Sequence, residues 1–283
     1  MLDTLPTLHR APRDLAGWAA LFDHRQLPVL AHTAGALDEL RPVEDEVDAH
    51  LISDTVAGDP LLTLKLLAHV AQLRRGREGS EVETVTEALV MLGIPPFFRS
   101  FSTLVTVEDL LACEPMALRG FFSVLQRSRR AARFAMGFAV HRMDHDAAVI
   151  FEAALLHDFA ELLLWLRAPS LALEIVRRQE AQPQRRSAAV QREVLNVELS
   201  ELQHLLMQSW RLPSLLVQIT DDHALRPTPQ LRNVQLAIRV ARHSATGWDN
   251  AALPDDIHDV ADLLRMGLEP TARLLRDIDN DEG

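Results

Sequence analysis

Leucine-rich segments with the period of an α-helix follow one another along this 283-residue chain, and few segments alternate β-branched with polar residues. This pattern predicts helices that pack through apolar stripes and leaves little material for strands. A chain of this length can bury about three quarters of its unfolded surface. We therefore expect an all-α fold whose core is stable without disulfides.

Two helix starts are marked by capping residues. Asp59 followed by Pro60 is typical of an N-cap that precedes a proline in the first helical turn. Thr84 and Glu87 have the spacing of a capping box, in which each side chain accepts a hydrogen bond from the other residue's backbone amide. One helix is therefore predicted from Pro60 and another from Val85.

Two longer periodic runs are predicted to be continuous helices, from Ala147 to Leu166 and from about Val190 to Trp210. Upstream of both, Glu114-Pro115 interrupts the helical pattern. We place a joint between two helical lobes there, which divides the chain into residues 1–117 and 118–283.

Composition excludes several classes of partner. The formal net charge of −11 disfavours nucleic acid, because binding phosphates requires clustered basic residues. A single cysteine, Cys113, excludes an internal disulfide and fits a reducing compartment. We expect a soluble cytoplasmic protein without a membrane partner, because four ionisable residues interrupt the most apolar window, 153–173: His157, Asp158, Glu161 and Arg167.

His157 and Asp158 stand together inside the first of the two long apolar runs. A buried imidazole beside a carboxylate needs hydrogen bonds or a metal ion to offset its desolvation. Enzymes use the same two side chains to hold divalent ions. The pair is therefore either half of a metal site or a polar contact that holds helices together.

The order of short motifs along the chain resembles the HDOD family, bacterial signalling domains that are related in fold to the HD phosphohydrolases. The resemblance covers about residues 15–277, and it implies two packed helical lobes, of which the second is an HD-like helical bundle. It also implies a regulatory role, since many members lack the full set of metal ligands. It is carried by Leu27-Pro28-Val29-Leu30, Asp59-Pro60-Leu61, Thr86-Glu87-Ala88 with Leu92-Gly93, Ser128 with Ala132, Leu155-Leu156-His157-Asp158, and Trp210 with Leu212-Pro213.

Compared with HD enzymes, this chain lacks histidines that the resemblance implies. Arg127 precedes Ser128 where a histidine is expected, and the later Asp-His pair falls at Glu198 and Leu199. A guanidinium would repel a divalent cation from the place where a ligand should donate. We expect neither a metal nor a cofactor, and a degenerate site formed by Arg127, His157, Asp158, Glu198 and His223.

A second cluster of metal-ligand types, at residues 141–146, is assigned to a solvated loop between helices. It contains His141, Asp144, His145 and Asp146.

The leading hypothesis is a non-catalytic signalling protein that acts through a protein partner or a small effector. In this hypothesis Arg127 pairs with Asp158 or Glu198 in place of a metal ion. The first alternative is a metal-dependent phosphohydrolase that acts on a nucleotide or a cyclic dinucleotide. The second is a nucleotide sensor without hydrolysis, whose phosphates would meet Arg127 or an exposed basic loop that contains Arg74, Arg75 and Arg77.

Overall fold

The computed structural model describes residues 7–76, 81–222 and 224–280, and most of these residues lie in helices. Within them, the β-type pairing is limited to an isolated bridge between Val29 and Thr106. The predicted all-α class is confirmed.

The chain forms two compact units, each built from two separate stretches of sequence. Unit 1 contains residues 1–124 and 158–213, and unit 2 contains residues 125–157 and 214–283. The division at 117/118 expected from the sequence cuts the chain once, whereas these units alternate along it. That division into two lobes stays a prediction.

The helices of unit 1 that precede residue 115 are α1 (Leu15–Ala19), α2 (Ala31–Leu40), α3 (Ala49–Val56), α4 (Pro60–Leu73), α5 (Val85–Leu92), α6 (Ile94–Ser100) and α7 (Val107–Leu110). Short 3-10 helices span His24–Gln26 and Arg41–Glu46. Helix α8 (Pro115–Arg142) begins in unit 1 and continues in unit 2, which also contains α9 (Ala147–Leu156). Unit 1 resumes with α10 (Phe159–Arg167), α11 (Pro169–Ala181), α12 (Ser187–Leu195) and α13 (Leu199–Ser209). Unit 2 ends with α14 (Ser214–Ile219), α15 (Pro229–His243), α16 (Leu253–Leu264) and α17 (Leu268–Asn280).

Both predicted helix starts are confirmed. The carboxylate of Asp59 is fully buried and accepts from the backbone amides of Leu61 at 3.1 Å and Leu62 at 3.0 Å. Thr84 Oγ1 accepts from the backbone amide of Glu87 at 3.2 Å. These bonds satisfy amides that have no partner inside the first helical turn.

The first predicted long helix is wrong, because it is interrupted at the His157-Asp158 pair. Helix α9 ends at Leu156, and α10 begins at Phe159. Asp158 is the N-cap residue of α10, with φ −104° and ψ 18°, outside the helical region. The pair therefore forms the junction between two helices.

The second predicted long helix is also wrong. Helix α12 ends at Leu195, and its C-cap residue Asn196 has a left-handed φ of 64°, a conformation that asparagine tolerates better than most residues. Helix α13 then begins at Leu199 with a capping box between Glu198 and Glu201. A left-handed residue followed by a new cap cannot lie within one continuous helix.

In unit 2, α15 packs against α9, α14 and α16. The side-chain amide of Asn233 on α15 is fully buried and donates to the backbone oxygen of Ala135 at 3.2 Å. Gly137 lies so close to Ile278 that an added Cβ would stand 2.4 Å from its Cδ1. The contacts of α15 with α9, α14 and α16, together with the bond from Asn233, orient the helix face that carries the polar residues described next.

The expected loop between α8 and α9 is confirmed for residues 143–146, while His141 belongs to the last turn of α8. Asp144 accepts from Arg142 Nε at 3.0 Å, and Asp146 accepts from Gln230 Nε2 at 3.1 Å.

Candidate functional site

His157 lies at the end of α9 in unit 2, with only 7% of its surface exposed. Its Nε2 is 3.1 Å from both carboxylate oxygens of Asp222. An ionised carboxylate can only accept hydrogen bonds, so Nε2 carries the proton in this contact. A ring nitrogen that carries a proton has no lone pair for a metal. With Asp222 ionised, Nε2 is the hydrogen-bond donor in this contact.

His157 and Asp222 open onto a cavity of about 430 Å³ within unit 2, which we call the His157 pocket. Its polar lining comes largely from one face of α15, where residues 232, 235, 239 and 242 recur at helical spacing. The full lining is His157, Asp222, Pro227, Arg232, Gln235, Leu236, Ile238, Arg239, Arg242 and Asp259.

Arg239 is held by two carboxylates. Its Nη2 donates to Asp256 at 2.6 Å, and its Nη1 donates to Asp259 at 2.8 Å. Burial opposes the charge of Arg239, but the hydrogen bonds to Asp259 and Asp256 outweigh it and raise the pKa of the guanidinium. Arg232 and Arg242 are exposed on the same helix. The pocket therefore combines a half-buried guanidinium that two carboxylates hold with two guanidinium groups on exposed residues.

The remaining site residues expected from the sequence fall in different units. Arg127 is half-buried on the part of α8 that belongs to unit 2. Asp158 and Glu198 are buried in unit 1, where Glu198 forms an ion pair with Arg192. The pairing of Arg127 with Asp158 or Glu198 stays a prediction. His223 lies outside the described residues.

The basic loop expected to bind anions is described only in part. Arg74 is the C-cap residue of α4 and donates to Met91 Sδ at 3.7 Å. Arg75 is exposed, and Arg77 lies outside the described residues. The anion-binding role of this loop stays a prediction.

The described residues were compared with the requirements of a metal site and of a membrane-spanning helix. Among residues 7–76, 81–222 and 224–280, no three His, Cys, Asp or Glu side chains are grouped so that they could hold a metal ion. None of the helices in these ranges is both long and apolar enough to cross a bilayer.

A family model described as the HDOD domain matches residues 27–225, more than half of the chain. This chain belongs to the HDOD family. Its fold is shared with the MmoQ response regulator from Methylococcus capsulatus str. Bath, which is 24% identical, with a TM-score of 0.68 over 88% of this chain and 97% of that one. A virulence factor from Campylobacter jejuni is 16% identical, with a TM-score of 0.65 over 95% of this chain and 99% of that one. A search of curated proteins found no match.

The arginines that line the His157 pocket of this HDOD protein were not predicted from the sequence. Arg232, Arg239 and Arg242 lie on α15. Their spacing of seven and three residues places them on one helical face, and that periodicity is visible in the sequence. What the sequence does not show is that this face lies beside His157.

Proposed function

We propose that this HDOD protein is a non-catalytic regulatory protein of the bacterial cytoplasm. It binds a small anionic effector in the His157 pocket and transmits the signal to a protein partner by non-covalent contact. The observation that carries this proposal is the bond between His157 Nε2 and Asp222, made in a pocket that three arginines line.

The pocket chemistry favours an anion over a catalytic cation. A hydrolytic metal site needs three or four ligands with free lone pairs and an open position for water. Here the Nε2 atom of His157 donates to Asp222, and the guanidinium of Arg232 adds positive charge that opposes a divalent cation, whereas Arg239 is already paired with Asp256 and Asp259. The same charges attract phosphate oxygens, which accept paired hydrogen bonds from guanidinium groups.

The size and lining of the pocket fit a nucleotide-like effector. Its volume of about 430 Å³ lies within the usual range of small-molecule sites. Arg232 and Arg242 offer donors for phosphate, and Gln235 offers an amide that both donates and accepts. A protein partner would then respond to the occupied pocket.

Calorimetric titration with nucleotides, cyclic dinucleotides and inorganic phosphate tests the effector. We expect at least one phosphate compound to bind, and Arg232→Ala to weaken it about tenfold or more, since a hydrogen bond to a charged group contributes about 1.5–3 kcal/mol. The control is Arg273→Ala, which removes an exposed arginine of α17 outside the pocket. Equal losses in both variants, or no binding by any compound, would contradict the proposal.

Elemental analysis and a hydrolysis assay test the absence of catalysis. We expect the purified protein to contain no stoichiometric Fe, Mn, Zn or Ni and to leave the bound phosphate compound intact. A metal that is lost in His157→Ala, together with hydrolysis that is lost in the same variant, would instead establish the phosphohydrolase alternative.

A further inference from the structure

Unit 1 contains a second cavity, of about 210 Å³, which we call the Arg167 cavity. Its walls are mainly apolar, and they include Leu21, Phe22, Leu27, Leu110, Leu163 and Leu166. An apolar cavity of about 150 Å³ is large enough to hold a benzene molecule. This cavity can therefore hold a compact apolar group with a small polar substituent.

Arg167, the last residue of α10, also lines this cavity and is only 8% exposed. Its Nε and Nη1 atoms are buried and have no hydrogen-bond partner among the described residues. Burial lowers the pKa of the guanidinium, with no opposing carboxylate contribution. Arginine nevertheless remains protonated in proteins, so this positive charge is largely buried and is not neutralised by any side chain in the part of the protein that the structure describes.

Two carboxylates of the chain line the same cavity, and neither compensates Arg167. Asp23 is held by Arg25, whose Nε donates at 3.0 Å and whose Nη2 donates at 2.6 Å. Glu114 is exposed to solvent, and the described residues include no ion pair between it and Arg167. Among the described residues nothing supplies the counter-charge, and a bound anion would supply it.

We propose that the Arg167 cavity binds a small monocarboxylate whose body is apolar and about the size of one aromatic ring. The carboxylate accepts hydrogen bonds from the guanidinium of Arg167, and the apolar body packs against the leucine and phenylalanine walls. A guanidinium presents two edges of paired donors, so one carboxylate takes two parallel hydrogen bonds. The apolar walls exclude water and strengthen this charge pairing. This site lies within unit 1 and is independent of the effector proposed for the His157 pocket.

Calorimetry with matched pairs of ligands tests the proposal. We expect benzoate and hexanoate to bind with a stoichiometry of one, and benzamide and hexanamide to bind at least tenfold more weakly, because the amides keep the apolar body but lose the charge. Inorganic phosphate, which has no apolar body, should also bind at least tenfold more weakly. Equal affinity for acid and amide, or no saturable binding of either acid, would overturn the proposal.

Two variants and a control separate charge from volume. Arg167→Met should weaken the binding of benzoate at least tenfold and abolish the preference for benzoate over benzamide. Leu21→Trp should weaken the binding of both compounds, because the larger side chain fills the cavity. Arg177→Met, which removes an exposed arginine outside the cavity, should bind as the wild type does. If Leu21→Trp folds and binds benzoate with unchanged affinity, the ligand does not occupy this cavity.

The single cysteine provides a local readout. Cys113 is exposed and lines the Arg167 cavity. Saturating benzoate should slow alkylation of its thiol by iodoacetamide, and it should leave the rate unchanged in Arg167→Met. Equal protection in both proteins would contradict the assignment of Arg167 as the binding residue.

Discussion

Arg167 in unit 1 and Asp256 in unit 2 are both ionisable side chains held almost completely out of water, at 8% and 0% exposure. Asp256 accepts from Arg239 Nη2 at 2.6 Å and lies 2.5 Å from His243 Nδ1. Arg167 has no comparable partner among the described residues. Because burial of a charge is costly unless it is paired, Asp256 is compensated within the chain, whereas Arg167 is not compensated by any described residue, and this difference is the basis of the ligand proposed for its cavity.

The two cavities differ in the same way. In the His157 pocket, Arg232 and Arg242 are exposed, so a ligand must displace water from them. A ligand that carries several charges therefore binds more tightly there than a ligand with one charge. In the Arg167 cavity the guanidinium is already desolvated and the walls are apolar. A ligand with one charge and an apolar body fits that environment better. We therefore propose anions of different chemistry for the two cavities of this HDOD protein.

The largest expected effect is on the free energy of unfolding when the paired carboxylate of Asp256 is removed. Asp256→Ala should lower the free energy of unfolding by about 3 kcal/mol, because it removes a buried carboxylate and the charged hydrogen bonds that it accepts. Urea denaturation followed by circular dichroism measures this change.

The matched control uses the other acid that holds the same arginine. Asp259 accepts from Arg239 Nη1 at 2.8 Å, but 40% of its side chain is exposed. Asp259→Ala should therefore cost less than about 1 kcal/mol. Equal losses in the two variants would show that burial does not separate these ion pairs.

The next largest effect has the opposite sign. Arg167→Met should raise the free energy of unfolding of the unliganded protein by about 1–2 kcal/mol, because an apolar side chain replaces a buried charge without a partner. Arg177→Met should leave the stability unchanged, since Arg177 is exposed. A loss of stability in Arg167→Met would indicate that the folded protein compensates this charge after all.

Sequence reasoning reached the fold class because capping residues and helical periodicity are local signals, as the Asp59 and Thr84 caps illustrate. It missed the break at His157-Asp158 because the apolar pattern continues across it without proline or glycine. A signal was present: Asp158 and Glu161 have the spacing typical of a helix start. Likewise, Asn196 is a residue type that often ends a helix.

The side-chain contacts of the site residues could not be predicted from local sequence signals. The contact between His157 and Asp222 joins residues 65 positions apart, and only the packing of unit 2 brings them together. Arg167 was noticed only as an interruption of an apolar window. Its significance is the lack of a partner, which is a property of the three-dimensional environment and not of the local sequence.

The smallest expected effect extends the comparison to a buried histidine of unit 1. Burial lowers the pKa of His24, with Arg25 and His69 acting in the same direction and Asp23 opposing them. The unfolded chain therefore binds a proton more readily, so this contribution to stability is present above about pH 6.5 and is lost as the pH falls towards the folded-state pKa. Burial also lowers the pKa of His69, so His24→Gln should reduce, without abolishing, the loss of stability on acidification. Denaturation at several pH values measures the slope, with the exposed His258→Gln as control. An unchanged slope in His24→Gln would mean that protonation of His24 does not oppose folding.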